Sequence, residues 1–251
     1  MYPTNLTDSA WQVIQQIIAD KRKRKYSLRS IFDAILYVTK TGCQWRQLPK
    51  DLPPWPLCYY YFWKWRNDGT WQALNKALVQ YRRKKEKCNS SPSVGIIDSQ
   101  SIKCSEWGVP CKGFDGHKKI KGRKRHIVVD RFGLVLGVVV HAANIHDSPS
   151  ARLVVSRLAQ QRYPRLTKLL ADSAYGQKLA IWMKNSYGME LEVIRLTDLA
   201  SFQVVPMRWK VERTFAWMNW DRRLSKDYEC DCSSSEAFVY ISNIHRILRH
   251  F

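Results

Sequence analysis

RHIVVDRFGLVLGVVVHA, residues 125–142, decides the fold. Two β-branched apolar runs stand on either side of Arg131-Phe132-Gly133, a tight hairpin signal. Upstream, SVGIID (93–98) is a third run of the same kind. Downstream the period alternates: PSARLVVSRLAQQ (149–161) reads as a helix, LTKLLAD (166–172) as a strand, QKLAIWMKNSY (177–187) as a helix and LEVIRL (191–196) as a strand. Helices are expected over 206–225 and 234–249. A hairpin sheet followed by strands alternating with helices is an α/β sheet of mixed direction.

The first 87 residues read differently. In SLRSIFDAILYVTKTG (27–42) the apolar residues recur at helical spacing, Ser27 can cap the start and Gly42 can end it. TDSAWQVIQQIIAD (7–20) gives a shorter helix capped by Thr7 or Asp8. After the Pro-rich LPKDLPPWP comes the aromatic run YYYFWKWRNDGTWQALNKAL (59–78), a helix, a turn at Asn67-Asp68-Gly69 and a helix. It has two readings: a unit that presents Lys64 and Arg66 to a DNA groove, or aromatic packing inside a helical domain. YRRKKEKCNSSPS (81–93) turns abruptly from charge to Asn, Ser and Pro, a linker signature. The expected organisation is a small all-helical N-terminal domain (1–88) and an α/β domain (89–251).

Charge narrows the partners. Forty-two Lys and Arg against 21 Asp and Glu give +21, which draws a chain to nucleic acid or acidic membranes. No apolar run reaches 18 residues, and MYPTNLTDSAWQ lacks the sections of a signal peptide, so a cytoplasmic protein meeting nucleic acid is expected, with no membrane partner. Seven cysteines without a CxxC pair argue against a disulfide framework and against structural zinc; the nearest approach is Cys230 and Cys232.

Two aspartates end apolar runs and precede serine: Asp98 in GIIDS and Asp172 in LLADS. Strand ends present chemistry in α/β sheets, although an aspartate there also caps helices and starts turns. Glu212 is the third carboxylate. On one helix it shares a narrow stripe with Arg208, Asn219 and Arg223. It is either the i, i+4 partner of Arg208 or a ligand that holds a cation against phosphate. Three carboxylates amid many cations suit metal-assisted phosphodiester chemistry, with hard oxygen ligands for Mg²⁺ or Mn²⁺.

The motifs GCQWRQLPKDLPPW, FWKWRNDGTW, GIIDSQSIK, KKIKGRKRHIVVD, LLADSAYG and WKVERTFAWMNWDRRLSKDYE occur in this order. With them the chain resembles, from about residue 6 onward, bacterial insertion-sequence transposases of the DDE class, in the insertion-sequence-five family. The resemblance implies a ribonuclease-H-like catalytic fold, a divalent metal, and Asp98, Asp172 and Glu212 as catalytic and metal-binding residues. It also implies double-stranded DNA as partner, at the element's ends and at the target, and a homodimer or larger active complex. Relatives carry a tyrosine, arginine, glutamate and lysine signature around the last of these motifs. Arg208 fills the arginine slot here, whereas Val205 stands for the tyrosine and Asn219 for the lysine, with Arg222 or Arg223 as substitutes. The short gap from LEVIRL to Glu212 leaves out the large inserted domain of some relatives.

KKIKGRKR (118–125) reads as a loop whose Lys118, Lys119, Lys121, Arg123, Lys124 and Arg125 contact phosphates; a solvated charged loop is the plainer alternative. KRKRK (21–25) is similar. Arg208, Arg222 and Arg223 complete the expected DNA contacts. His141, His146 and Asp147 lack helix-borne metal spacing, and both they and Asp130 read as turn residues. The expected function is end-specific DNA transposition by phosphodiester hydrolysis and strand transfer. A metal nuclease that does not join, and an inactive DNA-binding derivative, are the rivals.

Overall fold

The computed structural model describes residues 2–18, 20, 22–105, 110–161, 163–194 and 207–250. Four helices come first: α1 (Asp8–Ile18), α2 (Leu28–Thr41), α3 (Trp55–Asn67) and α4 (Thr70–Lys85). Ser27 caps α2 by accepting the Ser30 N–H, and Gly42 ends it in the left-handed region at φ 72°. The sheet follows, with β1 (Val94–Lys103), β2 (Gly113–Asp115), β3 (Ile120–Val129) and β4 (Val135–Ala142). Then come α5 (Asp147–Gln161), β5 (Lys168–Ala171), α6 (Gln177–Tyr187), β6 (Glu190–Val193), α7 (Trp209–Met218) and α8 (Cys232–Leu248).

Across the sheet the described strands run β4-β3-β1-β5-β6, with β2 sharing the outer edge of β3. β1 and β4 are antiparallel to β3, while β1, β5 and β6 are mutually parallel. This is the expected mixed α/β sheet behind a helical N-terminal region. Gly122 is fixed by a close approach, because a Cβ there would stand 1.9 Å from the Ile102 carbonyl oxygen.

Neighbouring residues of a strand face opposite sides. Ser99 therefore bonds Asp147 of α5, while the opposite face of β1 and β3 receives α7. α8 lies along the outer edge of β4, where Glu236 and Asn243 accept the Val140 and Val135 N–H groups that would otherwise lie unpaired. It also packs on α2, α3 and α4, with Phe62 stacked on Phe238 at 4.7 Å between ring centres. One apolar core thus runs from Leu6 to Leu248, across the expected boundary at 88/89.

Three expectations need correction. Asp98 is not at a strand end but inside a ten-residue strand. The basic run 118–125 is not a loop throughout, since β3 begins at Ile120. The helix expected over 206–225 stops at Met218; after it the chain turns into a 3-10 turn at Arg222–Leu224, so Asn219 caps the helix and Arg223 leaves its stripe. Val205, Lys21 and the end of LEVIRL lie outside the described residues.

Candidate active site

β1 and β5 pair in parallel with Ile96 opposite Leu170. Two residues further along each chain stand Asp98, inside β1, and Asp172, just past the end of β5. Asp98 accepts the N–H of Ser99 at 2.7 Å. Asp172 begins a turn just beyond β5: its Oδ1 accepts the Ala174 N–H at 2.9 Å and its carbonyl accepts that of Tyr175 at 3.2 Å. Tyr175 is buried and anchors the turn, with its hydroxyl 2.8 Å from His126 Nε2; His126 Nδ1 is 3.2 Å from the Ser150 hydroxyl. The signal for this anchor was the tyrosine of DSAYG, whose buried partner on β3 no local pattern announces.

α7 buries Val211, Thr214, Phe215 and Met218, and this leaves Glu212 on an exposed flank of its first turn. Arg208 Nη2 reaches 3.5 Å from Asp172 Oδ2 and 3.9 Å from Glu212 Oε1. The i, i+4 pair allowed by the sequence is therefore present, but it is the longer of two contacts, and Arg208 ties Glu212's helix to Asp172's strand. Burial pushes the Asp98 carboxyl up to about 6, and the negative charge of Asp172 adds to this. The Ser99 N–H, Arg208 and Lys118 oppose it.

Two half-buried aspartates, one with a raised pKa, form the hard, over-negative donor set that a divalent cation relieves. Glu212 is less close. Among the described residues no three acidic, His or Cys side chains stand together tightly enough to hold a metal as placed.

The expected DNA contacts separate into three groups. Lys118 reaches the Ser99 carbonyl at 3.3 Å beside the carboxylates, and Lys119, Lys121 and Arg222 are exposed. Lys64 is half-buried with its ammonium 6.0 Å from the Tyr61 ring, and Arg66 bonds Asp231 and Ser234 of the α8 start. The third group is a correction. Arg123 and Arg125 are fully buried, because β3 lies between β1 and β4 and is covered on both faces from Gly122 onward. Arg123 donates to the carbonyls of Pro110, Glu229 and Cys230, and Arg125 to that of Leu224. Lys124 is buried against Asp147 at 2.9 Å, and Arg223 is held by Glu229 at 2.6 Å and the Cys43 carbonyl. Arg208 is likewise turned to the carboxylates and is not on an open stripe.

A mixed sheet of this order, with α5 against one face and α7 against the other, is the ribonuclease-H-like architecture. The chain belongs to the transposase DDE domain family, whose model matches residues 89–240. Residues 6–75 match a second model, "Putative transposase of IS4/5 family". The chain is similar to the "Putative transposase for insertion sequence element IS402" of Burkholderia cepacia, 27% identical over 151 residues, covering 57% of this chain and 69% of the relative. It is also similar to the "Insertion element IS402 uncharacterized 16.2 kDa protein" of the same organism, 26% identical over 108 residues, covering 39% of this chain and 72% of that protein. No solved structure gives a significant match. No helix among the described residues is long and apolar enough to cross a membrane.

Proposed function

We propose that the protein is a DNA transposase that binds the inverted ends of its own element, cuts there and joins the freed end to target DNA. The observation that carries this reading is that the parallel pairing of β1 and β5 brings Asp98 close enough to feel the charge of Asp172 just beyond β5, while Arg208 stands between Asp172 and Glu212. In the first step water attacks the phosphodiester at the element's end and the 3′-oxygen leaves as a hydroxyl. In the second that hydroxyl attacks a target phosphodiester and displaces the target's own 3′-oxygen.

Asp98, Asp172 and Glu212 would hold Mg²⁺ or Mn²⁺. Bound there, the metal supplies activation of the attacking oxygen and neutralisation of the leaving one. Lys118 and Arg208 balance the acidic cluster and face incoming phosphate. Residues 1–88 supply end recognition, and the protein acts in the cytoplasm as a dimer or larger assembly.

The test is a cleavage and joining assay on end-bearing duplex, run beside a binding assay at one salt concentration. Glu212→Gln, Asp98→Asn and Asp172→Asn keep shape but remove charge; each should bind ends and lose both reactions. Wild-type cleavage by Glu212→Gln would return that residue to a helix ion pair. Cleavage without joining by the wild-type protein would make it a nuclease.

A further inference from the structure

α7 carries a second array of charge, on the flank that faces neither the core nor the carboxylates. Trp209, Arg213 and Trp217 follow one another every fourth residue and so form one stripe. The Arg213 guanidinium lies between the two rings, 4.4 Å from the centre of Trp209 and 4.3 Å from that of Trp217. Arg246 of α8 continues the ladder, 4.2 Å from Trp217. Two open hollows of about 390 Å³ each meet at Trp217 and Arg246. Arg131 and Lys210 line one of them, and Arg249 lines the other.

The cations here outnumber the carboxylates beside them, Asp130 near Arg246 and Lys210, and Asp221 in one hollow. The carboxylates nearby are already engaged: Asp130 by Arg83, Glu86 by Arg82, and Asp221 by Lys40 and Ser242. Among the described residues no carboxylate pairs with Arg131, Arg213, Arg246 or Arg249. Arg213 Nε is buried without a hydrogen-bond partner. Burial pushes the Arg246 guanidinium down to about 10; the charge of Asp130 opposes this, and those of Arg213 and Arg82 add to it. Arg213 donates one N–H to the Phe132 carbonyl, and Arg246 donates to the Gly133 carbonyl and to Asn243. Their remaining donors and the exposed Arg131 and Arg249 are left to meet the oxygens of a phosphate.

We propose that this ladder is a contact surface for the sugar–phosphate backbone of duplex DNA, distinct from the carboxylate site. Several cations spread along a ridge between two open hollows suit a chain of phosphates better than one small anion. The net charge of +21 favours a polyanion as the occupant. The same helix carries Glu212 on its next flank, so a duplex lying across α7 reaches both.

The test uses the full chain without divalent metal, so it is independent of cleavage. Affinity for a labelled duplex of arbitrary sequence is measured from about 50 to 200 mM salt. Arg131→Gln/Arg249→Gln removes two exposed charges from the hollows. Lys178→Gln/Lys184→Gln removes two exposed charges from α6. The first pair should weaken binding and flatten the log–log salt slope by about 2, since each phosphate contact contributes roughly 0.9. The α6 pair should leave the slope unchanged, and Arg131→Lys/Arg249→Lys should retain it. A wild-type slope in the first pair, or an equal loss in the α6 pair, overturns the proposal.

Discussion

Arg123 and Asp98 show what a single side chain reveals and what it conceals. Arg123 sits in a basic run that reads as a DNA-contacting loop, yet it lies 3.3 Å from the buried Asp227 and donates to three carbonyls. Removing one member of a buried pair strands the other. Arg123→Met should therefore cost about 3–5 kcal/mol of stability. DNA affinity per folded molecule should stay near wild type; normal urea stability with weakened binding would restore the loop reading. Nothing in KGRKR distinguishes a strand with buried arginines from a loop, because the apolar residues that mark a strand begin only at Ile127. The aspartates were more legible, since each follows an apolar run that can only be a sheet strand. Their nearness rests on the β1–β5 register, which neither run contains. His126 adds a pH dependence. Burial holds its imidazole down to about 3, so the folded protein keeps it neutral while the unfolded chain protonates below about 6.5. Stability from this group is complete above that pH and is lost as pH falls, by on the order of 2 kcal/mol at pH 5. Urea midpoints at pH 7 and 5 should converge in His126→Gln; an unchanged pH gap would assign the loss elsewhere.

At the scale of elements, α8 was the least legible part. Its Ser235, Glu236, Ser242 and Asn243 suggest an open polar face, but all four are buried. Each has a partner from another element: Asp227, Val140 with Arg157, Asp221, and Asn75 with Val135. A hydropathy pattern records polarity and not whether polarity is satisfied, so the helix is legible but its central place is not. α7 was overextended for a related reason. Arg222 and Arg223 continue the charge pattern, yet Asp221 bonds Lys40 of α2 and pulls the chain off the helix axis. The linker signature at 81–93 covers the step from α4 to β1, and one apolar core spans it. A chain of residues 90–251 strips α2, α3 and α4 from α8 and should not fold cooperatively. Phe238→Ala in the full chain should cost about 3–5 kcal/mol, for the cavity left between Phe62 and Trp45. A cooperative melt of the truncated chain would show that the shared core is dispensable.

For the whole molecule, the excess of cations meets a small acidic centre. Asp98 and Asp172 repel across the β1–β5 pair, so the metal-free protein carries an unfavourable term that a bound cation removes. Mg²⁺ at about a hundred times its dissociation constant should add roughly 2.7 kcal/mol of stability. Asp98→Asn should melt higher than wild type without metal and gain little when Mg²⁺ is added. Thermal melts with Mg²⁺ and with chelator measure both. A full Mg²⁺ response in Asp98→Asn would move the metal away from this pair.

Because α8 is the common packing surface of α2, α3, α4 and β4, synthesis on the ribosome has a long open phase. Helices finished by residue 85 pack on one another through Phe32, Trp65 and Trp71, but the sides of α2, α3 and α4 that meet α8 wait for residues 232–248. Through that interval those sides, Phe62 among them, are exposed in the cell, as substrates for chaperones and proteases. Ribosome-arrested chains ending near residue 225 should be cut rapidly within residues 28–85, while released full-length chains resist. Production of active protein is then limited by how often the nascent chain survives to its keystone helix, a threshold set by the order in which the chain is made.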